Sequence, residues 1–280
     1  MYGPAIILGA LTPSAAAMYA TQIANIDIIN RLIATKIRNL SENLASAHTL
    51  SYLCVAKNWK IMSITSNLLD IRASLPEDVT LVAVSKFHPV EAIAEAYEAG
   101  QRVFGESRVQ ELVVKQQSLP ADIEWHMIGH LQTNKVRAIA PFVSLIHSVD
   151  SARLLDCINR EAERCGRVVD CLLELHVARE QTKSGWDVTE LREYVASGAI
   201  DQMNNIRIRG IMGMATFTDE LAVVKSDFER LAAIKCEIEP MFDSSFNILS
   251  MGMSDDYPIA VQCGSTMVRV GSSIFGQRTY

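Results

Sequence analysis

The sequence lacks the marks of several common protein classes. Its six cysteines include no Cys-x-x-Cys pair and no paired Cys/His spacing. Neither a zinc site nor a disulfide framework is expected, and unpaired thiols point to a reducing compartment, the cytoplasm. There is no basic excess: 26 lysines and arginines face 32 aspartates and glutamates, a net charge of −6. That leaves no electrostatic footprint for nucleic acid. Long apolar runs are missing too. Residues 4–24 are broken by Pro13 and by Ser, Thr and Gln, which does not make a membrane span. The first basic residue is Arg31, so the cationic region of a signal peptide is absent. No nucleophile elbow, Walker motif or dinucleotide fingerprint occurs.

What is there is a globular composition. Of 280 residues, 49% are hydrophobic and 21% charged, with 14 Gly and 8 Pro, enough for one large α/β domain. From about residue 80 short apolar runs recur with helical patterns between them. Strands are predicted at 80–85, 102–104, 124–128, 144–148, 170–176, 207–212, 246–250 and 267–270. Helices are predicted at 90–99, 109–117, 135–140, 151–165, 188–196 and 220–238, from apolar spacing of 3.6 residues. Asp150-Ser151 and Asp187 stand where N-caps belong, and Gly100 where a helix stops. Such alternation implies βαβ units and a parallel sheet. Eight strands in about 200 residues fit a single (β/α)8 TIM-type barrel; a doubly wound open sheet, with five to seven strands, is the rival. Residues 1–61 stand outside this rhythm. They hold five basic and two acidic residues, net +3, against 21 and 30 in the remainder, net −9.

Barrel chemistry sits at the C-terminal ends of strands, and the unusual residues fall there. Lys86 ends the first run with the pleat parity of Val82 and Val84, so if those valines face the lumen its ammonium stands over the mouth. Burial there favours a nucleophilic, Schiff-base-forming amine; a solvated strand-end lysine is the plainer reading. Around the last strand, Gly264-Ser-Thr-Met-Val-Arg-Val-Gly271 leads into Ser272. The N–H groups of Gly271 and Ser272 offer a phosphate site, to which Ser250, ending strand seven, can add a hydroxyl. Gly/Ser turns that merely connect elements explain the same residues. Arg269 shares parity with Met267 and Gly271, and an inward cation needs an acceptor partner. Lysine, arginine and phosphate cradle together describe a site for a phosphorylated aldehyde, best matched by pyridoxal 5′-phosphate (PLP).

At these residues the sequence resembles the pyridoxal phosphate homeostasis protein family, whose fold is like the N-terminal barrel of alanine racemase. The matching segments are Val84-Ser-Lys86, Val103-Phe-Gly-Glu106 with Arg108-Val-Gln-Glu111, and Trp125-His-Met-Ile-Gly-His-Leu-Gln-Thr-Asn-Lys135. Lys183-Ser-Gly185, Gly210-Ile-Met-Gly213, Ser250-Met-Gly-Met-Ser254 and Gly264 to Gly271 follow in the family's order, so the likeness covers roughly residues 62–276. The resemblance implies that Lys86 carries PLP as an internal aldimine, that Ser250, Gly271 and Ser272 hold the phosphate, and that Arg269 faces the pyridine nitrogen. It places Lys183 in the loop after strand five as a candidate second amine, though a solvated loop lysine is the first reading there. Ser107 stands where the family commonly has Asn, and no cofactor contact is assigned to it.

His126, His130, His147 and His176 lie in three strand regions without carboxylates at ligand spacing, so no metal site is expected. Met212, Met214, Met251 and Met253 read as packing. The resemblance implies a non-catalytic PLP carrier that buffers or delivers the cofactor, monomeric and cytoplasmic, with apo-forms of PLP-dependent enzymes as partners. A racemase of the same barrel type is the alternative. Racemisation needs two acid/base groups, and alanine racemase takes one from a C-terminal β-domain of its partner subunit. A class I aldolase would explain Lys86 and the cradle but not Arg269. Two domains are expected: residues 62–280 as the PLP-binding barrel, and residues 1–61 as an upstream extension of the reading frame. The other reading of that extension is an accessory helix through Ile28, Ile29, Leu32, Ile33 and Ile37.

Overall fold

A computed structural model describes residues 63–178 and 184–276; the expectations for residues 1–61 and for Lys183 fall outside them. The barrel lies within the compact unit Met62–Tyr280. Ser63 opens the described chain as an N-cap, its hydroxyl accepting the Ser66 N–H, and starts α1 (Ile64–Ser74). Eight strands follow: β1 (Thr80–Val84), β2 (Val103–Glu106), β3 (Glu124–Met127), β4 (Leu145–Val149), β5 (Val169–Leu175), β6 (Ile206–Gly213), β7 (Ile248–Ser250) and β8 (Met267–Val270). Between and after them lie α2 (Val90–Glu98), α3 (Val109–Ser118), α4 (Thr133–Ile139), α5 (Ala152–Arg164), α6 (Val188–Ala196), α7 (Leu221–Ile238), α8 (Tyr257–Gln262) and α9 (Ser272–Phe275). The strands close in chain order into one barrel, β1 pairing parallel with both β2 and β8. The (β/α)8 architecture anticipated from the alternation is the one formed.

Pleat parity sorts the apolar residues into two layers. Leu81, Ala83, Phe104, Trp125, Ile146, Leu173 and Ile211 belong to the large core between barrel and helices. Val82, Leu145, Leu172, Met212 and Met267, with Val103 and Ile248 against them, form a small separate layer that fills the lumen. That layer is the floor on which polar side chains stand.

The details depart from expectation at several ends. The second strand runs on through Gly105 and Glu106, and α4 starts at Thr133. Asp187 caps α6 through the N–H groups of Thr189 and Glu190. Ser151 occupies the N-cap position of α5 without a capping bond; its hydroxyl donates to Asp150 Oδ1 at 3.0 Å. The register of β5 on β6 passes from Cys171↔Ile208 to Leu172↔Gly210, so Arg209 is the extra residue of a β-bulge. It bonds Asp170 at 2.6 Å. A Cβ on Gly210 would lie 1.8 Å from the Ile248 carbonyl oxygen, so no other residue fits there. Among the described residues, no helix is long and apolar enough to cross a membrane.

Candidate functional site

A cavity of about 240 Å³ opens at the C-terminal end of the barrel. It is lined by Lys86 and His88 after β1, by Arg269, Gly271 and Ser272 of the β8–α9 turn, and by Ser254 after β7. Two other concavities lie at the N-terminal ends of β1 and β2 and between α4 and α5, away from the strand ends where barrel chemistry is found.

Val82 packs in the lumen layer and Val84 lines the cavity. Lys86, two residues further on, also lines it, which is the geometry its parity demands. Gly271 is set by close approach, for a Cβ there would lie 3.1 Å from the Val84 carbonyl oxygen. Its N–H donates to Ser254 Oγ at 3.2 Å, and Ser272 starts α9 beside it. His88 stacks on Phe275 with ring centroids 4.9 Å apart.

Arg269 rises from β8 and is almost wholly buried. Its guanidinium donates to the Ser250 carbonyl at 2.8 Å, to Ser250 Oγ at 2.7 Å and to the Gly213 carbonyl at 3.1 Å. These are neutral oxygens, and no carboxylate within 4 Å pairs with it among the described residues. Burial lowers its pKa to about 10, against the attraction of Glu174 and Asp256, so it stays cationic at neutral pH. A buried cation beside a cavity, without a paired anion, is built to meet an acceptor.

Ser250 is placed differently from expectation. It is fully buried and does not line the cavity; its hydroxyl is held by Arg269 and faces His147 Nδ1 at 3.1 Å. Ser254, four residues on, is the serine that reaches the cavity wall. The –Met-Gly-Met– turn carries both, and sequence spacing alone does not say which one faces in.

Sequence reasoning also missed a pair of histidines. His126 on β3 and His147 on β4 meet inside the barrel, Nδ1 to Nε2 at 3.0 Å. Burial drives His126 down to about 3, and burial with the nearby His126 and Arg269 charges lowers His147, so both are neutral. Arginine can only donate. Ser250 Oγ therefore accepts from Arg269 and is hydrogen-bonded in turn to His147 Nδ1, while His147 Nε2 is hydrogen-bonded to His126 Nδ1. A continuous hydrogen-bonded chain runs across the lumen from the cation. Glu174, at the end of β5, is buried with Oε1 accepting from Ser184 at 3.1 Å. Its Oε2 has no hydrogen-bond partner among the described residues, and burial raises its pKa. Among the described residues, no group of three His, Cys, Asp or Glu side chains is arranged to hold a metal ion.

The donors suit a phosphorylated heteroaromatic aldehyde: an amine, a guanidinium, two serine hydroxyls and a turn pinned by glycine, around a space for a small molecule. Comparison with known proteins points the same way. The profile of the alanine racemase N-terminal domain family matches residues 60–279. A pyridoxal phosphate homeostasis protein of Vibrio alginolyticus is 39% identical over 210 residues, covering 73% of this chain and 89% of that protein. One from Escherichia coli is 38% identical over 213 residues, covering 73% and 88%. PipY of Synechococcus elongatus, solved with PLP bound, superposes with a TM-score of 0.70 at 39% identity, covering 76% of this chain and 100% of that one. Alanine racemase of Streptomyces coelicolor, at 16% identity and a TM-score of 0.64 over 77% of this chain and 58% of that one, shares the fold.

Proposed function

The chain belongs to the pyridoxal phosphate homeostasis protein family, and from that premise we propose that its barrel mouth binds PLP and holds it covalently through Lys86. The observation that carries this reading is the meeting of Lys86 and Arg269 in one cavity whose wall is the Gly271-Ser272 turn. PLP supplies a reactive aldehyde and a ring that can draw electrons from a bound amine. The chain's own residues divide the binding. Lys86 offers the nucleophilic amine, and Gly271, Ser272 and Ser254 form the phosphate end. Arg269 faces the ring nitrogen, with Ser250 acting through Arg269 instead of on the phosphate.

Arg269 bears on holding against turnover without deciding it alone. A guanidinium has no acceptor, so a ring nitrogen opposite it stays unprotonated and the ring is a weaker electron sink. The reading is of a monomeric, cytoplasmic carrier that hands PLP to apo-forms of PLP-dependent enzymes. Its test is incubation of the PLP-loaded full chain with L-alanine. Racemisation should not exceed that of free PLP, whereas turnover near 1 s⁻¹, the low end for enzymes, would make it a racemase.

A further inference from the structure

Beneath the first strand end lies a cluster of charges that the cofactor reading leaves unused. Glu106 ends β2 on the outward face, with the parity of Phe104, and is fully buried. Lys115 of α3 reaches it, Nζ to Oε1 at 2.7 Å. The same ammonium donates to the Ser85 carbonyl at 2.9 Å and to Glu111 Oε2 at 3.3 Å, which uses all three of its protons. Ser85 Oγ donates to Glu106 Oε1 at 2.6 Å. Glu111 Oε2 in turn accepts the Phe87 N–H at 2.9 Å.

The cluster thus holds the residue before Lys86 by its carbonyl and hydroxyl, and the residue after it by its amide. Phe87 is also the one non-glycine residue with positive φ, +67°, among those described, a conformation that bulky L-residues avoid. Such strain persists only where the surroundings impose it, and it gathers at functional sites. Stability alone does not account for the cluster, because apolar residues of like volume would serve a core at least as well as a buried ion pair. Lysine is a flexible four-carbon stem, so where its amine arrives depends on how its base is set.

We propose that Glu111, backed by Lys115 and Glu106, is a positioning residue that aims the Lys86 amine into the cavity by fixing Ser85 and Phe87. This rests on Lys86 as the PLP-bearing residue. The test uses the full chain, titrated with PLP and followed by the visible band of the bound cofactor, in Glu111→Ala, Glu111→Gln and Lys86→Ala. Glu111 also pairs with the buried Lys115, so the thermal midpoint of each Glu111 variant is measured first and PLP affinity is compared at a temperature where every variant is folded. Glu111→Ala should weaken PLP binding about tenfold, the scale of one lost charge-assisted hydrogen bond. Glu111→Gln keeps an oxygen for the Phe87 N–H and should recover binding to within about threefold of wild type. In PLP-free protein the Phe87 amide should exchange with solvent faster in Glu111→Ala than in Glu111→Gln. Equal PLP affinity in Glu111→Ala and wild type, or equal loss in the two Glu111 variants, would overturn the proposal. A bound band that survives in Lys86→Ala would instead overturn the cofactor reading beneath it.

Discussion

At the scale of the residue, the lumen histidines carry a pH signature. His126 is neutral in the folded chain because burial depresses its pKa to about 3, against about 6.5 when unfolded. A depressed pKa means that the unfolded state binds the proton first, so the stability present above pH 6.5 is lost as the pH falls towards 3. From pH 7 to pH 5 this one side chain should cost about 2 kcal/mol, at 1.4 kcal/mol for each pH unit below 6.5. Glu106 and Glu174, raised by burial, act with the opposite slope, losing stability as pH rises above 4.5. The histidine part is therefore read as a difference: in urea unfolding, wild type should lose about 2 kcal/mol more than His126→Gln between pH 7 and pH 5. Identical pH slopes would show that His126 is not held neutral by burial. Lys86, Arg269, Gly271 and Ser272 were legible in the sequence because pleat parity and position at strand ends place them. His126 and His147 were not, since their meeting depends on the β3–β4 register, in which His126 stands opposite Leu145.

At the scale of the element, every predicted strand and helix from residue 80 onward is present, because each pairs an apolar run with a definite period. The errors have local causes. Gly105 and Glu106 are poor strand formers, yet pairing with His126 and Met127 keeps them in β2. The bulge in β6 was illegible: Ile208 and Ile211 both pack in the outer core, three residues apart, which breaks the two-residue period. Gly210 is the price of that bulge. Gly210→Ala would drive a methyl into the Ile248 backbone and should destabilise the barrel by about 3 kcal/mol or more, read as a lower thermal midpoint. An unchanged midpoint would mean that β6 and β7 can separate without cost.

At the scale of the molecule, closure needs only elements between Ile64 and Phe275. Asn67 of α1 donates to the Ile274 carbonyl in α9 at 3.0 Å, tying the first described helix to the last. Residues 62–280 should therefore fold and bind alone, and a chain begun at Met62 should match the full chain in PLP affinity and melting temperature. A large loss of either would make residues 1–61 part of the working domain. The count of eight runs made the barrel legible, and the parity of one lysine made its mouth legible; the charge clamp behind that lysine required the folded register. The central claim is that Lys86 bears PLP, and the direct measurement is borohydride reduction of the loaded protein followed by peptide mass mapping. The reduced pyridoxyl adduct should sit on the peptide containing Lys86, with Lys86→Ala losing it entirely. An adduct found in full yield on another lysine, or undiminished in Lys86→Ala, would contradict the account.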